Sequence, residues 1–337
     1  MMEIISGGVC AAQGFRASGV HCGVRKSRTK KDLALIVSSV PAQAAAVYTT
    51  NLVKGAPLTV TKAHIADGTA QALVLWRWAS PTKMENVKFV GNRFSFDHPW
   101  GFKVDGFVQG CCLTATAIRK DGLGETAITG RRNPPVCPNA STKDAKLGEP
   151  IDLLKDGLDG WETMGTNGKN GWIVSEEKGE KVLSNKLGLN KDGKWAGGGL
   201  NLKTKRSDFY DFNLEYDVRV PAGSNSGVYL RGRYEIQVLD SYGKPVDCHN
   251  MAAYYGRVTP SVAAEKKPGE WQHVSVTLYK RHLTVVLNGT TIIDNAPVVG
   301  VTGGAIDANE FKPGPIYLQG DHSDADFKNM VLRPAVN

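Results

Sequence analysis

The stretch from Asn225 to Tyr242, NSGVYLRGRYEIQVLDSY, constrains this chain more than any other. Counted in twos along one extended strand, Val228, Leu230, Tyr234, Ile236 and Val238 fall on one face. Tyr229, Arg231, Arg233, Glu235 and Gln237 fall on the other. The pattern predicts a central strand with one face in the core and one face that is either a site or a wet surface. Antiparallel sheets often keep one face in water, but a merely wet face has no need of two arginines, a glutamate and a glutamine in register.

The segments around it read the same way. FNLEYDVRV alternates, with Phe212, Leu214, Tyr216 and Val218 inward and Asn213, Glu215, Asp217 and Arg219 outward. WQHVSVTLY repeats the pattern through Val274, Val276 and Leu278, with Trp271 expected in the core. LTVVLNGTTIID is a hairpin signal, because Asn288 and Gly289 tolerate the positive φ angles of a two-residue turn. PIYLQG and FKNMVLRP supply further strands, and Trp161 is placed to plug one end. Many short strands with Gly/Pro turns and hardly a helical period predict a mainly β fold, a jelly-roll β-sandwich, over residues 151–337.

Upstream the character changes. Residues 136–150 are rich in Pro, Ser, Thr and charge and read as a linker. Residues 76–135 form short alternating runs, a small β-rich module with turns expected at Asp105–Gly106 and Asp121–Gly122. Residues 1–75 hold eight Lys/Arg against three Asp/Glu, so most of the formal charge of +8 lies there. The remainder is close to neutral, which argues against a nucleic-acid partner. The RKSRTKK cluster from Arg25 to Lys31 is expected in a solvated loop. There is no apolar run of membrane-spanning length and no basic-then-apolar leader at the start. Six cysteines show neither a CxxC pair nor a regular disulfide spacing, and free buried cysteines are expected, with a bridge from Cys111 or Cys112 to Cys137 as the alternative. No HExxH, Walker loop or dinucleotide fingerprint is present, so neither metal nor cofactor is expected.

Two resemblances are carried by longer motifs. SGGVCAAQGFRASGVHCGV, DLALI and VYTTNLVKGAPLTV, over about residues 3–75, resemble the N-terminal end of the glutamate N-acetyltransferase (ornithine acetyltransferase) family. The match stops where LVLWRWASPTKMENV begins. That family's self-cleaving threonine lies in a downstream motif with no counterpart here, and Thr49 and Thr50 match a different motif. A truncated fragment joined to another gene is therefore expected, without acetyltransferase activity and with unpaired strand edges that fold poorly or pack opportunistically. DLLKDGLDGW, the long stretch from LKTKRSDFYDF to LDSYG, KKPGEWQHVSVTL, LNGTTIIDN and GPIYLQGDHSDADFKNM, over about residues 148–335, resemble the 3-keto-disaccharide hydrolase family. The resemblance implies a concanavalin-like jelly roll that hydrolyses glycosides oxidised at C3, with carbohydrate as substrate and an exported location.

A C3 ketone acidifies the proton on C2, so cleavage by elimination needs a base, an acid and a donor to the enolate oxygen. Direct displacement would need a carboxylate pair. Glu235 is the candidate base or nucleophile. Asp240 completes an E-x-Q-x-x-D pattern but shares a face with Glu235 only across a bulge. His322, beside Asp321 and Asp324, is a candidate general acid, with a calcium-type ligand set as the alternative for that loop. Arg231, Arg233, Gln237, Gln319, Tyr254 and Tyr255 are candidate substrate contacts, and Asn225 is read as a turn residue. The alternative is a non-catalytic carbohydrate-binding jelly roll. A concave pocket that brings Glu235 within hydrogen-bond reach of a second titratable group separates the enzyme from the binder, for which a flat tyrosine face is expected.

Overall fold

The computed structural model describes residues 32–36, 47–51, 73–75, 80, 82–110, 112–122, 124–132, 136–137 and 139–336. The Gly-rich opening, the basic cluster at residues 25–31 and any pairing of Cys111 lie outside them. Among the described residues no helix is long and apolar enough to cross a membrane.

Twelve strands make up most of the region from Trp161 onward. They are β1 (Trp161–Met164), β2 (Trp172–Glu177), β3 (Glu180–Asn185), β4 (Asn201–Thr204), β5 (Phe212–Arg219), β6 (Asn225–Leu230), β7 (Tyr234–Leu239), β8 (Gln272–Tyr279), β9 (His282–Leu287), β10 (Thr290–Pro297), β11 (Tyr317–Leu318) and β12 (Ala325–Val336). One sheet runs β2-β3-β12-β5-β8-β9-β10, and two short strands, Lys146–Leu147 and Ile151–Asp152, add to β12. The second runs β1-β4-β11-β6-β7. The fold is a jelly-roll β-sandwich. Leu214, Tyr216 and Val218 of β5, Val274, Val276 and Leu278 of β8, and Val228, Ile236 and Val238 of the second sheet are fully buried in one apolar cluster between the sheets. Each such side chain contributes roughly 1.5–3 kcal/mol of transfer free energy, so the alternation alone holds the sandwich together.

The organising stretch is a hairpin rather than one strand. β6 and β7 pair from Asn225↔Leu239 to Leu230↔Tyr234, and Arg231 (φ 54°) and Gly232 (φ 66°) form the turn between them. A glycine inside an apparent strand is the local signal for such a break. The pairing is regular, so no bulge turns Asp240 toward Glu235. Asn288 and Gly289 (φ 50° and 84°) take the expected two-residue turn, and Lys280–Arg281 (φ 46° and 62°) takes another that has no glycine to mark it. Trp161 is buried, its indole N–H donating to the Leu153 carbonyl. Trp271 lies between the cations of Arg219 and Lys328 instead of in the core.

Upstream, strands Glu85–Val90, Arg93–His98, Phe102–Gln109, Cys112–Arg119 and Glu125–Arg132 form a meander. Asp121–Gly122 sits in a turn as expected, whereas Asp105–Gly106 lies inside a strand, where a Cβ on Gly106 would meet Ala115 and Phe94 at 2.5–2.6 Å. Val47–Asn51 pairs with Glu125–Arg132, so a strand of the acetyltransferase-like stretch closes the meander's edge.

The segment between β10 and β11 is fixed by buried charge. Glu310 is fully buried and accepts from Arg281 at 2.8 Å and from the Tyr234 hydroxyl at 3.0 Å. Removing one member of a buried pair strands the other and typically costs about 3–5 kcal/mol. Glu310→Ala is therefore expected to lower the unfolding free energy read from urea titration by that amount, whereas Asp208→Ala, in an exposed pair with Arg206, is expected to leave it within about 0.5 kcal/mol.

Candidate functional site

The outward face of the second sheet opens on a cavity of about 300 Å³. Alternation brings Asn225 and Tyr229 of β6, and Glu235 and Gln237 of β7, into its wall. Tyr255, Gly303, Gly304, Gln319, Asp321 and His322 complete it. Each comes from a segment pinned to the sheet. Ala252–Tyr255 runs along the free edge of β7, with Gln237 N–H donating to the Ala253 carbonyl and Tyr255 N–H to the Glu235 carbonyl. This covers the exposed edge and sets Tyr255 beside Glu235. The Thr302 hydroxyl donates to the Arg233 carbonyl and accepts from Glu235 N–H. Gln319 N–H donates to the Gly227 carbonyl, carrying the chain on to Asp321 and His322.

Glu235 is the centre of this wall. Its carboxyl is buried and lies 2.8 Å from the Tyr229 hydroxyl, which also lies 2.9 Å from the Gly303 carbonyl. A phenol has one hydrogen and cannot serve both acceptors. When Glu235 is protonated, its own hydrogen goes to the Tyr229 oxygen and the phenol donates to Gly303, so every group is satisfied. Burial raises the carboxyl from 4.5 to about 8, with the Asp321 charge adding to the rise and the Tyr229 hydrogen bond opposing it. Two glycines make room for the arrangement. A Cβ on Gly227 would lie 2.5 Å from Glu235 Oε1, and one on Gly304 (φ 78°) would overlap the Tyr229 hydroxyl. Tyr229 is further held by stacking on Tyr317, ring centroids 4.2 Å apart.

His322, in the same lining, is half-exposed, and its Nδ1 lies 2.6 Å from Asp321 Oδ1. That hydrogen bond raises the imidazole above its usual range despite partial burial. Gln237 uses its amide oxygen to accept from Val238 N–H. The amide oxygens of Asn225 and Gln319 are buried without a protein partner, an arrangement that costs stability unless something else satisfies it.

Of the residues singled out by sequence, Glu235, His322, Gln237, Gln319 and Tyr255 lie in this wall, and four do not. Asp240 sits past the end of β7 and accepts from Gly223 N–H. Arg231 is buried in the hairpin turn, donating to the carbonyls of Glu310 and Lys312 and stacking on Tyr210. Arg233 is buried against Asp307 at 2.8 and 2.9 Å. Tyr254 points into the core, its hydroxyl donating to the Gly300 carbonyl. The turn at Arg231–Gly232 is the reason for the two arginines: it takes both off the strand face. Asn225 begins β6 rather than a left-handed turn and lines the cavity. Tyr229 and the two pocket glycines were not singled out either. Tyr229 shares the Glu235 face and was legible by alternation, whereas Gly303 and Gly304 carry no local signal.

Sandwich and cavity together define a carbohydrate-active, hydrolase-like jelly roll. Residues 150–333 match the family described as the 3-keto-alpha-glucoside-1,2-lyase-like domain, and since this is more than half of the chain, it belongs to that family. Residues 16–78 match the ArgJ family. The arginine biosynthesis bifunctional protein ArgJ of Halalkalibacterium halodurans is 47% identical over 76 residues, which are 22% of this chain and 18% of that protein. Two crystal structures from Parabacteroides distasonis ATCC 8503, provisionally assigned as glycosyl hydrolases, are also similar. One is 19% identical with a TM-score of 0.42, covering 56% of this chain and 94% of its own. The other is 27% identical with a TM-score of 0.41, covering 60% and 86%.

The raised Glu235 carboxyl has a consequence for stability. Between pH 4.5 and about 8 the folded state holds a proton that the unfolded state has released, so unfolding free energy falls as pH rises through that window. Glu235→Gln keeps the shape and removes the titration. The variant is expected to gain on the parent by a few kcal/mol between pH 5 and 9, read as diverging urea midpoints; parallel midpoints across that range would show an ordinary carboxylate.

Proposed function

We propose that the jelly roll cleaves the glycosidic bond of 3-keto-glycosides by elimination and hydration, with Glu235 as general acid and His322 as general base. The observation that carries this reading is the buried Glu235 carboxyl, held as a neutral acid beside Tyr229 in a concave cavity whose lining also includes the Asp321–His322 pair. Pairs of titratable groups whose surroundings push them apart are the usual sign of an acid and a base sharing one reaction.

The steps balance as follows. His322 removes the C2 proton, made acidic by the C3 ketone. The electrons form the C1–C2 double bond, the bond from C1 to the glycosidic oxygen breaks, and the departing oxygen takes the proton of Glu235. Water then adds at C1 and a proton returns to C2, giving the free 3-keto sugar. Gln237 and Tyr255, in the same wall, are the donors available to the enolate oxygen. Asp321 fixes the imidazole so that Nε2 is the working nitrogen. The binding-module alternative is less well supported: a surface that only grips neutral sugars gains nothing from burying a carboxyl, and Tyr229 and Tyr317 stack on each other rather than forming an open platform.

Release of 3-keto-glucose from a 3-keto-disaccharide by the full chain tests the assignment. Glu235→Gln and His322→Ala are each expected to lower kcat by about 10²–10⁴ with KM little changed. Glycan binding retained in the parent without turnover would favour the binding module instead. The acid must stay protonated and the base must be neutral, so kcat/KM is expected to be bell-shaped, rising above the histidine's raised value and falling again near pH 8. Gly227→Ala drives a methyl into the Glu235 carboxyl, and is expected to cost at least tenfold in kcat while the far-ultraviolet circular dichroism is unchanged.

A further inference from the structure

At the outer edge of the Tyr255 wall, a second set of groups lies outside the cavity's own acid and base. Ser80 Oγ is 2.6 Å from His249 Nε2, and His249 Nδ1 is 2.5 Å from Asp247 Oδ1. Asp247 Oδ1 also accepts from His249 N–H at 2.9 Å, which fixes the carboxylate relative to the ring. The imidazole packs edge-on against Tyr255, centroids 5.0 Å apart, and the Ser80 hydroxyl also hydrogen-bonds the Tyr255 side chain. A hydroxyl on one ring nitrogen and a carboxylate on the other is the arrangement that turns serine into a nucleophile.

Cys248 lies in the same turn, its sulfur 3.5 Å from His249 Nδ1, and Asp247, Cys248 and His249 together could ligate a metal ion. The geometry favours the relay over the ion. Two donors on one zinc at bonds of about 2.0–2.1 Å stand more than about 3 Å apart in a tetrahedron, whereas 2.5 Å between Nδ1 and Oδ1 is the separation of atoms that share a proton.

We propose that Ser80, His249 and Asp247 form an acyl-transfer site that acts on ester groups carried by a carbohydrate lying against Tyr255. Ser80 Oγ attacks the ester carbonyl while its proton passes to His249 Nε2, and Tyr255, which hydrogen-bonds Ser80, is a donor available to the developing oxyanion. The carbonyl–alkoxy bond then breaks, the sugar hydroxyl leaves with the proton from His249, and the acyl group remains on Ser80. Water, deprotonated by His249, releases it as the carboxylic acid. Asp247 touches no substrate and is a positioning residue that holds Nδ1–H and stabilises the imidazolium. The nucleophile stands apart from this choice of substrate, and only the carbohydrate half of the proposal rests on the function assigned to the cavity.

A fluorophosphonate ester, from which fluoride is displaced as the serine oxygen bonds to phosphorus, reads the nucleophile directly on the full chain. The expected result is one adduct, located on Ser80 by peptide mass spectrometry, lost in Ser80→Ala and slowed at least a hundredfold in His249→Gln. In Asp247→Asn the labelling rate is expected to fall, and in Asp247→Glu, which restores a carboxylate to the imidazole, to recover in part; a merely structural aspartate would show no such rescue of the rate. Asp247 is exposed and His249 partly so, so these variants are expected to keep the fold, which far-ultraviolet circular dichroism checks. Ser80→Ala is expected to retain keto-glycoside cleavage, so loss of one activity leaves the other readable. No adduct, an adduct elsewhere, or labelling indifferent to His249 overturns the proposal, as does one equivalent of zinc bound through Cys248 by an unlabelled chain.

Discussion

The cavity depends on a cluster of buried positive charge that never touches it. Arg231, Arg233 and Arg281 sit beneath the hairpin turn and hold the segment between β10 and β11 through Asp307, Glu310 and the carbonyls of Glu310 and Lys312. Burying guanidinium groups is costly unless each finds acceptors, so the segment is fixed wherever those acceptors lie. Its Thr302 and Gly303 then receive Glu235 and Tyr229. The charge cluster thus stands behind the site, setting the position of Thr302 and Gly303, and through them of Glu235 and Tyr229, without lining the cavity itself.

The sandwich was largely legible in the sequence because its information is local. Alternation in β5 and β8 states which side chains face inward, and the Asn288–Gly289 dipeptide states where a chain reverses. The site was legible only along one strand, where Glu235 and Gln237 share a face. The two arginines in the same stretch looked equivalent, but Gly232 between them ends the strand, and positive φ at Arg231 turns the side chain under the sheet. Whether a glycine in an alternating run bends the chain is decided by what closes around it, here Ile306, whose side chain fills the space a Cβ would need. Tyr254 and Tyr255 pose the same problem in miniature, since neighbours on an extended segment face opposite ways and nothing local says which is inward.

The N-terminal stretch shows how far the rules of sheet pairing reach without a family's full context. Its Val47–Asn51 strand finds a partner in Glu125–Arg132, because an open edge binds any complementary edge of suitable length. Such pairing satisfies backbone groups without restoring a nucleophile or an oxyanion hole, so a nine-stranded sheet and a similarity to ArgJ over 18% of its length say nothing in favour of acetyl transfer.

Glu235 and His322 define the cavity by their contrast. The carboxyl is in a dry wall, where burial penalises its charged form and a single tyrosine cannot offset the penalty. The imidazole is at the wet mouth, where a neighbouring carboxylate favours its charged form. Both shifts move protonation the same way, so each group keeps its proton to higher pH than it would in water, and the base functions only as pH climbs past its raised value. The window in which a neutral imidazole and a neutral carboxyl coexist is bounded below by His322 and above by Glu235, and Asp321 moves both bounds upward by stabilising the imidazolium while repelling a Glu235 carboxylate. One aspartate therefore tunes both partners, and a ligand that shielded it from solvent would strengthen its grip on each.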